Sequence, residues 1–146
     1  MNIEELLGKP YWIVDIFPRQ VSENAGGQYF KIEQYYLKRL PLLRRKYVDM
    51  LLKLNSYFDF EVSHDGESWA RNPAPETFEQ WISACMSENP TEPSLYVSVE
   101  SGKVLMMMES GDTYMTVYNP TDEILSMICL LATSSGLFVW QPNKLV

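Results

Sequence analysis

The clearest pattern in the chain is an alternation of side chains across residues 95–118. With Ser101-Gly102 as one turn and Gly111-Asp112 as the next, Val99 faces Val104, Val97 faces Met106, Met108 faces Met115 and Met106 faces Val117. Both turns put Leu95, Val97, Val99, Val104, Met106, Met108, Met115 and Val117 on one face, and a one-residue slip at either would scramble it. The spacing predicts a three-stranded antiparallel meander. Its opposite face carries Tyr96, Leu105, Met107, Tyr114 and Tyr118, with Ser98 and Thr116. That face is too apolar to be freely solvated, so it calls for a covering helix, a self-association surface or a bound partner. The run Met106-Met107-Met108 is not a thioether metal box, because alternation sends the middle sulfur to the other face.

The remaining chain reads in shorter pieces. Residues 2–7 suggest one or two helical turns. Tyr11 to Phe17 is β-branched and aromatic, which predicts a strand ended by Pro18, and residues 18–27 read as a loop. Tyr29, Ile32, Tyr36 and Leu40 give a helical stripe over 28–39, and Pro41 either kinks that helix or starts the next. Leu43, Tyr47, Met50, Leu51 and Leu54 predict a helix over 42–54. Phe58, Phe60 and Val62 alternate with polar residues, and Asp65-Gly66 as a two-residue turn would set Val62 opposite Trp69. Phe78, Trp81, Ile82 and Cys85 predict a helix over 75–87. Asn119-Pro120 followed by Asp122 and Glu123 marks the start of a helix over 121–134 that carries Ile124, Met127, Ile128 and Leu131 inward, with Gly136 as its cap. Leu137 to Trp140 closes as a last strand. The expected fold class is α+β: a mainly antiparallel sheet, made of the C-terminal meander plus N-terminal strands, packed by three to four helices.

Composition agrees with that picture. A chain of 146 residues with 46% hydrophobic and 13% aromatic content is expected to form a single globular domain over 1–146. The N-terminus has no basic, apolar leader pattern, and the longest nearly apolar run, 124–132, is too short to span a bilayer. A cytoplasmic chain with no membrane partner is expected. Two cysteines and one histidine do not supply a four-ligand zinc site, and no metal or cofactor is expected.

Charge adds the first functional clue. Residues 31–53 hold seven of the twelve basic side chains, Lys31, Lys38, Arg39, Arg44, Arg45, Lys46 and Lys53, against Glu33 and Asp49. That segment is +5 and the rest of the chain −12, which gives the formal −7. Lys38, Arg39, Arg44, Arg45 and Lys46 are therefore candidate partner-binding residues. The bland alternative is a solvated helix face, with Asp49 spaced to pair Arg45 and Lys53. The acidic balance and the lack of a dense basic stripe argue against nucleic acid.

A second candidate is a ligand pocket at Asp15, Arg19 and Gln20. Asp15 interrupts an apolar strand, and a carboxylate there needs a partner such as Arg19. His64-Asp65-Gly66-Glu67-Ser68 invites a triad reading, but its members sit on one turn with no enclosed site, so His64 is expected to be exposed. Cys85 and Cys129 both read as core. No phosphate loop, dinucleotide fingerprint, HExxH, CxxC or GxSxG motif occurs, and no catalytic residue is expected. The leading expectation is a small non-catalytic interaction protein: an adaptor, or an inhibitor that masks a cationic protein as immunity proteins mask toxins. The partner would be another protein or a second copy of the chain. The alternative is a small-molecule-binding or enzymatic domain with a pocket near the end of the strand 11–17.

Overall fold

The computed structural model describes residues 2–22 and 26–142. In chain order these form α1 (Ile3–Leu7), β1 (Tyr11–Asp15), α2 (Gln28–Leu37), α3 (Leu40–Asn55), β2 (Phe60–Ser63), β3 (Ala70–Arg71), α4 (Pro75–Cys85), β4 (Ser94–Val99), β5 (Val104–Glu109), β6 (Met115–Tyr118), α5 (Asp122–Ser134) and β7 (Phe138–Trp140). The strands make one antiparallel sheet in the order β3-β2-β4-β5-β6-β1-β7. The class is α+β. The sheet is wider than the meander alone suggests, because β1 slots between β6 and β7 and joins the two ends of the chain.

The meander register is the one the turns impose. Val99 pairs with Val104, Val97 with Met106, Met108 with Met115 and Met106 with Val117. At the first turn Ser101 (φ 55°) and Gly102 (φ 93°) are both left-handed, as a tight hairpin of this hand requires. The inner face of the sheet packs on α3, α4 and α5. Val97, Val99, Met106, Met108, Met115 and Val117 are buried there with Leu43, Met50, Leu54, Phe78, Ile82, Ile124 and Ile128. Each such side chain removed from water contributes about 1.5–3 kcal/mol. Tyr47 is wholly buried at the centre of this layer. Its hydroxyl donates to the carbonyl of Thr113 (2.7 Å) and lies 3.1 Å from that of Val14, so α3 is tied to β1 and to the loop before β6.

Three expectations change, and one open alternative is decided. The Asp65-Gly66 turn is not a two-residue hairpin: Val62 pairs with Ala70, not Trp69. The Asp65 carboxylate accepts the backbone N–H groups of Glu67 and Ser68, and the Ser63 hydroxyl accepts that of Gly66. These side-chain bonds hold a wider loop that competes with the tight turn. Of the two outcomes expected for Pro41, the structure takes the second: it starts α3 near its first turn. The helix of the 28–39 stripe ends at Leu37 and buries no residue fully, and Leu40 belongs to α3. The first strand stops at Asp15, two residues before the expected Phe17.

Candidate functional site

The outer face of the sheet divides into two halves. On one, α1 packs against β5, Ile3 leans on Gly66 (φ 78°), and Leu105 and Ser98 are buried. On the other, β6, β1 and β7 extend the sheet beyond α1. There Tyr11 pairs with Tyr118, Ile13 with Thr116 and Trp140, and Asp15 with Phe138, so these side chains share the outer face. The candidate surface Tyr96, Leu105, Met107, Tyr114 and Tyr118 is thus split: Leu105 is covered, while Met107, Tyr114 and Tyr118 line an open groove.

Two adjoining cavities make the groove. One, of about 290 Å³, lies over Met107, Thr116 and Tyr118, with Glu109 and Asp112 at its rim. The other, of about 330 Å³, lies over Asp15 and is walled by Tyr29, Trp140, Gln20 and Val21. Tyr11, Ile13 and Tyr114 are common to both. The rings are braced: Tyr11 stacks on Tyr118 at 5.3 Å, Phe17 packs on Tyr29 at 5.8 Å, and the Tyr29 hydroxyl donates to Glu33 at 3.4 Å.

Asp15 dominates the electrostatics. It is only 4% exposed, and among the described residues no cationic side chain pairs with it. Arg19, the expected partner, is exposed and does not line the groove, whereas Gln20 does. What Asp15 accepts is the backbone N–H of Ile16 at 2.7 Å, with help from that of Phe17. Trp140 lies near enough to favour the charged carboxylate, yet its buried indole N–H completes no hydrogen bond of good geometry. Burial outweighs these donors and pushes the Asp15 carboxyl up to about 6. Burial, with Glu109 and Glu33 nearby, does the same to Asp112, also to about 6. The Tyr29 phenol is pushed up to about 12 by burial, then by Glu33 and Asp15, and Tyr114 is raised by burial and the surrounding acids. At neutral pH the groove therefore offers protonated phenols, aromatic faces and carboxylates, and among the described lining residues no base.

The basic candidates lie elsewhere and are largely engaged. Arg45 bonds Asp49 at 2.8 Å and also Glu79; Arg44 donates to the carbonyl of Met86 at 3.1 Å. Arg39 stacks on Tyr35 at 3.6 Å, and the Lys46 ammonium rests against Gly136 at the end of α5. Lys38 is exposed. His64 is half-buried, not exposed: its ring packs edge-on to Trp81 at 5.7 Å, because the wide 63–69 loop folds it back against α4. Ser63 bonds Asp65 and not His64, so no triad forms.

Cys85 is core, its thiol against the carbonyl of Met108 and pushed up to about 12 by burial. Cys129 is exposed, against expectation, because the buried stripe of α5 runs through Ile124, Ile128 and Ala132 and leaves Cys129 a step round the helix. Iodoacetamide is therefore expected to add one label to the native protein, at Cys129, and a second only in denaturant; intact-mass analysis showing two labels on the native protein would contradict the burial of Cys85.

Tyr11, Ile13, Tyr29 and Trp140 join this site without having been candidates in the sequence. The only signal for Tyr11 and Ile13 was their alternation with Asp15, which could not reveal that β1 pairs with β6 and β7, and Tyr29 and Trp140 reach the site from elements distant in sequence. Among the described residues no group of three or more His, Cys, Asp or Glu is placed to hold a metal ion, and no helix is long and apolar enough to cross a membrane. The molecule is an α+β protein with α3, α4 and α5 on one face of a seven-stranded antiparallel sheet, and α1 beside an acidic, aromatic groove on the other. No protein-family model matches the chain, and neither the curated proteins nor the solved structures contain a match.

Proposed function

We propose that this chain is a non-catalytic interaction protein that docks a protein partner in the groove on the open half of its sheet. The observation that carries this reading is the pair of adjoining cavities across β5, β6, β1 and β7, walled by tyrosines that the described residues brace but leave uncovered. Tyrosine and tryptophan supply large contact area at low entropic cost, which suits a recognition surface. The groove is preferred to the basic segment because three of the five candidate residues there, Arg39, Arg44 and Arg45, already have partners within the chain. The cavity over Asp15 is also large enough for a small ligand, and this is the second reading.

A photoreactive phenylalanine analogue placed at Tyr114, at Lys38 and, as a control, at Glu123 separates these readings. Docking in the groove predicts one identified protein cross-linked from position 114, and that protein, once purified, binding the wild-type chain at 1:1 stoichiometry but not a Tyr11→Ala, Tyr114→Ala variant. Adducts from position 38 alone would move the interface to the basic segment. No adduct from 114 above the Glu123 control would sink the proposal, and a discrete small mass retained in native mass spectrometry would favour the second reading.

A further inference from the structure

The groove's chemistry points to what the partner inserts: we infer that it takes a cationic side chain, an arginine or lysine, held over Asp15. This rests on the docking reading and specifies its ligand. Three independent features converge on it. Asp15 is nearly fully buried in the groove floor, and no described base neutralises it, so its charge costs free energy that a bound cation would recover. Tyr11, Tyr29, Tyr114 and Trp140 surround the same space and can offer electron-rich ring faces to a guanidinium or ammonium group. Asp112 and Glu109 rim the adjoining cavity, so the approach path carries the same sign as the floor. A neutral or anionic group placed there would leave Asp15 uncompensated and meet further carboxylates.

The occupant is a side chain of a basic protein, not a free metal ion, because among the described residues no three carboxylate, histidine or cysteine side chains are placed to share one. The floor and the rings together suit a group that is both charged and able to stack, which favours arginine over lysine.

The test titrates the ¹⁵N-labelled protein with blocked arginine, blocked lysine and blocked citrulline, the neutral isostere of arginine. Saturable shifts are expected at the β1 and β6 amides and at the Trp140 indole N–H with the cations, and none with citrulline. Asp15→Asn should weaken the cation at least about tenfold, whereas Glu123→Gln on α5 should leave it unchanged. The ratio of the two cation affinities identifies which side chain the groove prefers. Equal binding of citrulline, no saturable shift with either cation, or full binding to Asp15→Asn would overturn the inference. If the groove still cross-links its protein from position 114 in that case, the docking reading stands and only the cationic ligand falls.

Discussion

Asp15→Asn is expected to make the protein more stable at neutral pH and to flatten its pH profile. The reasoning follows from which state holds the proton. Burial raises the folded carboxyl from 3.8 to about 6, so between those values the folded protein binds more protons than the unfolded chain. Stability then falls as pH rises through that window. The full displacement would correspond to at most about 3 kcal/mol. Water in the open groove screens part of it, and the expected loss is about 1–2 kcal/mol between pH ~4 and pH ~7. Asp112 acts in the same direction over the same range, whereas Asp65, lowered to about 2 by the loop N–H groups, acts below it. Asparagine keeps an oxygen for the Ile16 N–H and removes the charge. Urea unfolding across this range should show the wild type weakening toward neutrality and the variant gaining about 1–2 kcal/mol at pH ~7. Parallel curves for the two proteins would mean that the Asp15 charge is already compensated in the folded state. A residue that costs stability at working pH is best understood as kept for binding, which links this measurement to the groove.

The meander was legible in the sequence because two tight turns fix its register locally, and alternation then decides every face. The helices over 42–54 and 121–134 were legible for a similar reason: stripes such as Leu43, Tyr47, Met50 and Leu54 are local and periodic. The groove was not, because it needs β1 to travel across the fold and sit between β6 and β7, and nothing within residues 11–15 states that pairing. Asp15 drew attention as a carboxylate in an apolar strand and Gln20 as part of the segment that follows it, and both line the groove; Arg19 was added by a pairing argument that the geometry does not follow. The basic segment stood out because charge is easy to see in a sequence, while the bonds that occupy it, from Arg45 to Glu79 and from Arg44 to Met86, span 34 and 42 residues. The Asp65-Gly66 turn misled because Ser63 and Asp65 supply acceptors that stabilise a wider loop. Local patterns therefore yielded elements and faces, and the site arose from long-range pairing.

Tyr47→Phe tests whether the groove's strands are positioned from behind. The Tyr47 ring is completely buried, and phenylalanine fills the same volume, so packing is retained. The lost hydroxyl is the donor shared by the carbonyls of Val14 and Thr113. Val14 immediately precedes Asp15, and Thr113 immediately precedes Tyr114, so one hydrogen atom anchors the backbone beneath two groove residues from different segments. Burial also holds this phenol well above its ordinary value, which keeps it a donor throughout the accessible pH range. Leaving a buried carbonyl without that donor costs about 1–3 kcal/mol. The expected result is a lower urea midpoint with an unchanged slope, because the surface exposed on unfolding is the same. Backbone amides of residues 13–15 and 113–115 should exchange faster with solvent than in the wild type, while those of β2 and β4 keep their protection. A midpoint equal to that of the wild type would show that the carbonyls find other donors and that the ring alone holds α3 to β1. A midpoint shift with uniform loss of protection would make Tyr47 a general core residue. Loss confined to the two segments would instead show that α3 sets the groove's geometry through a single phenol.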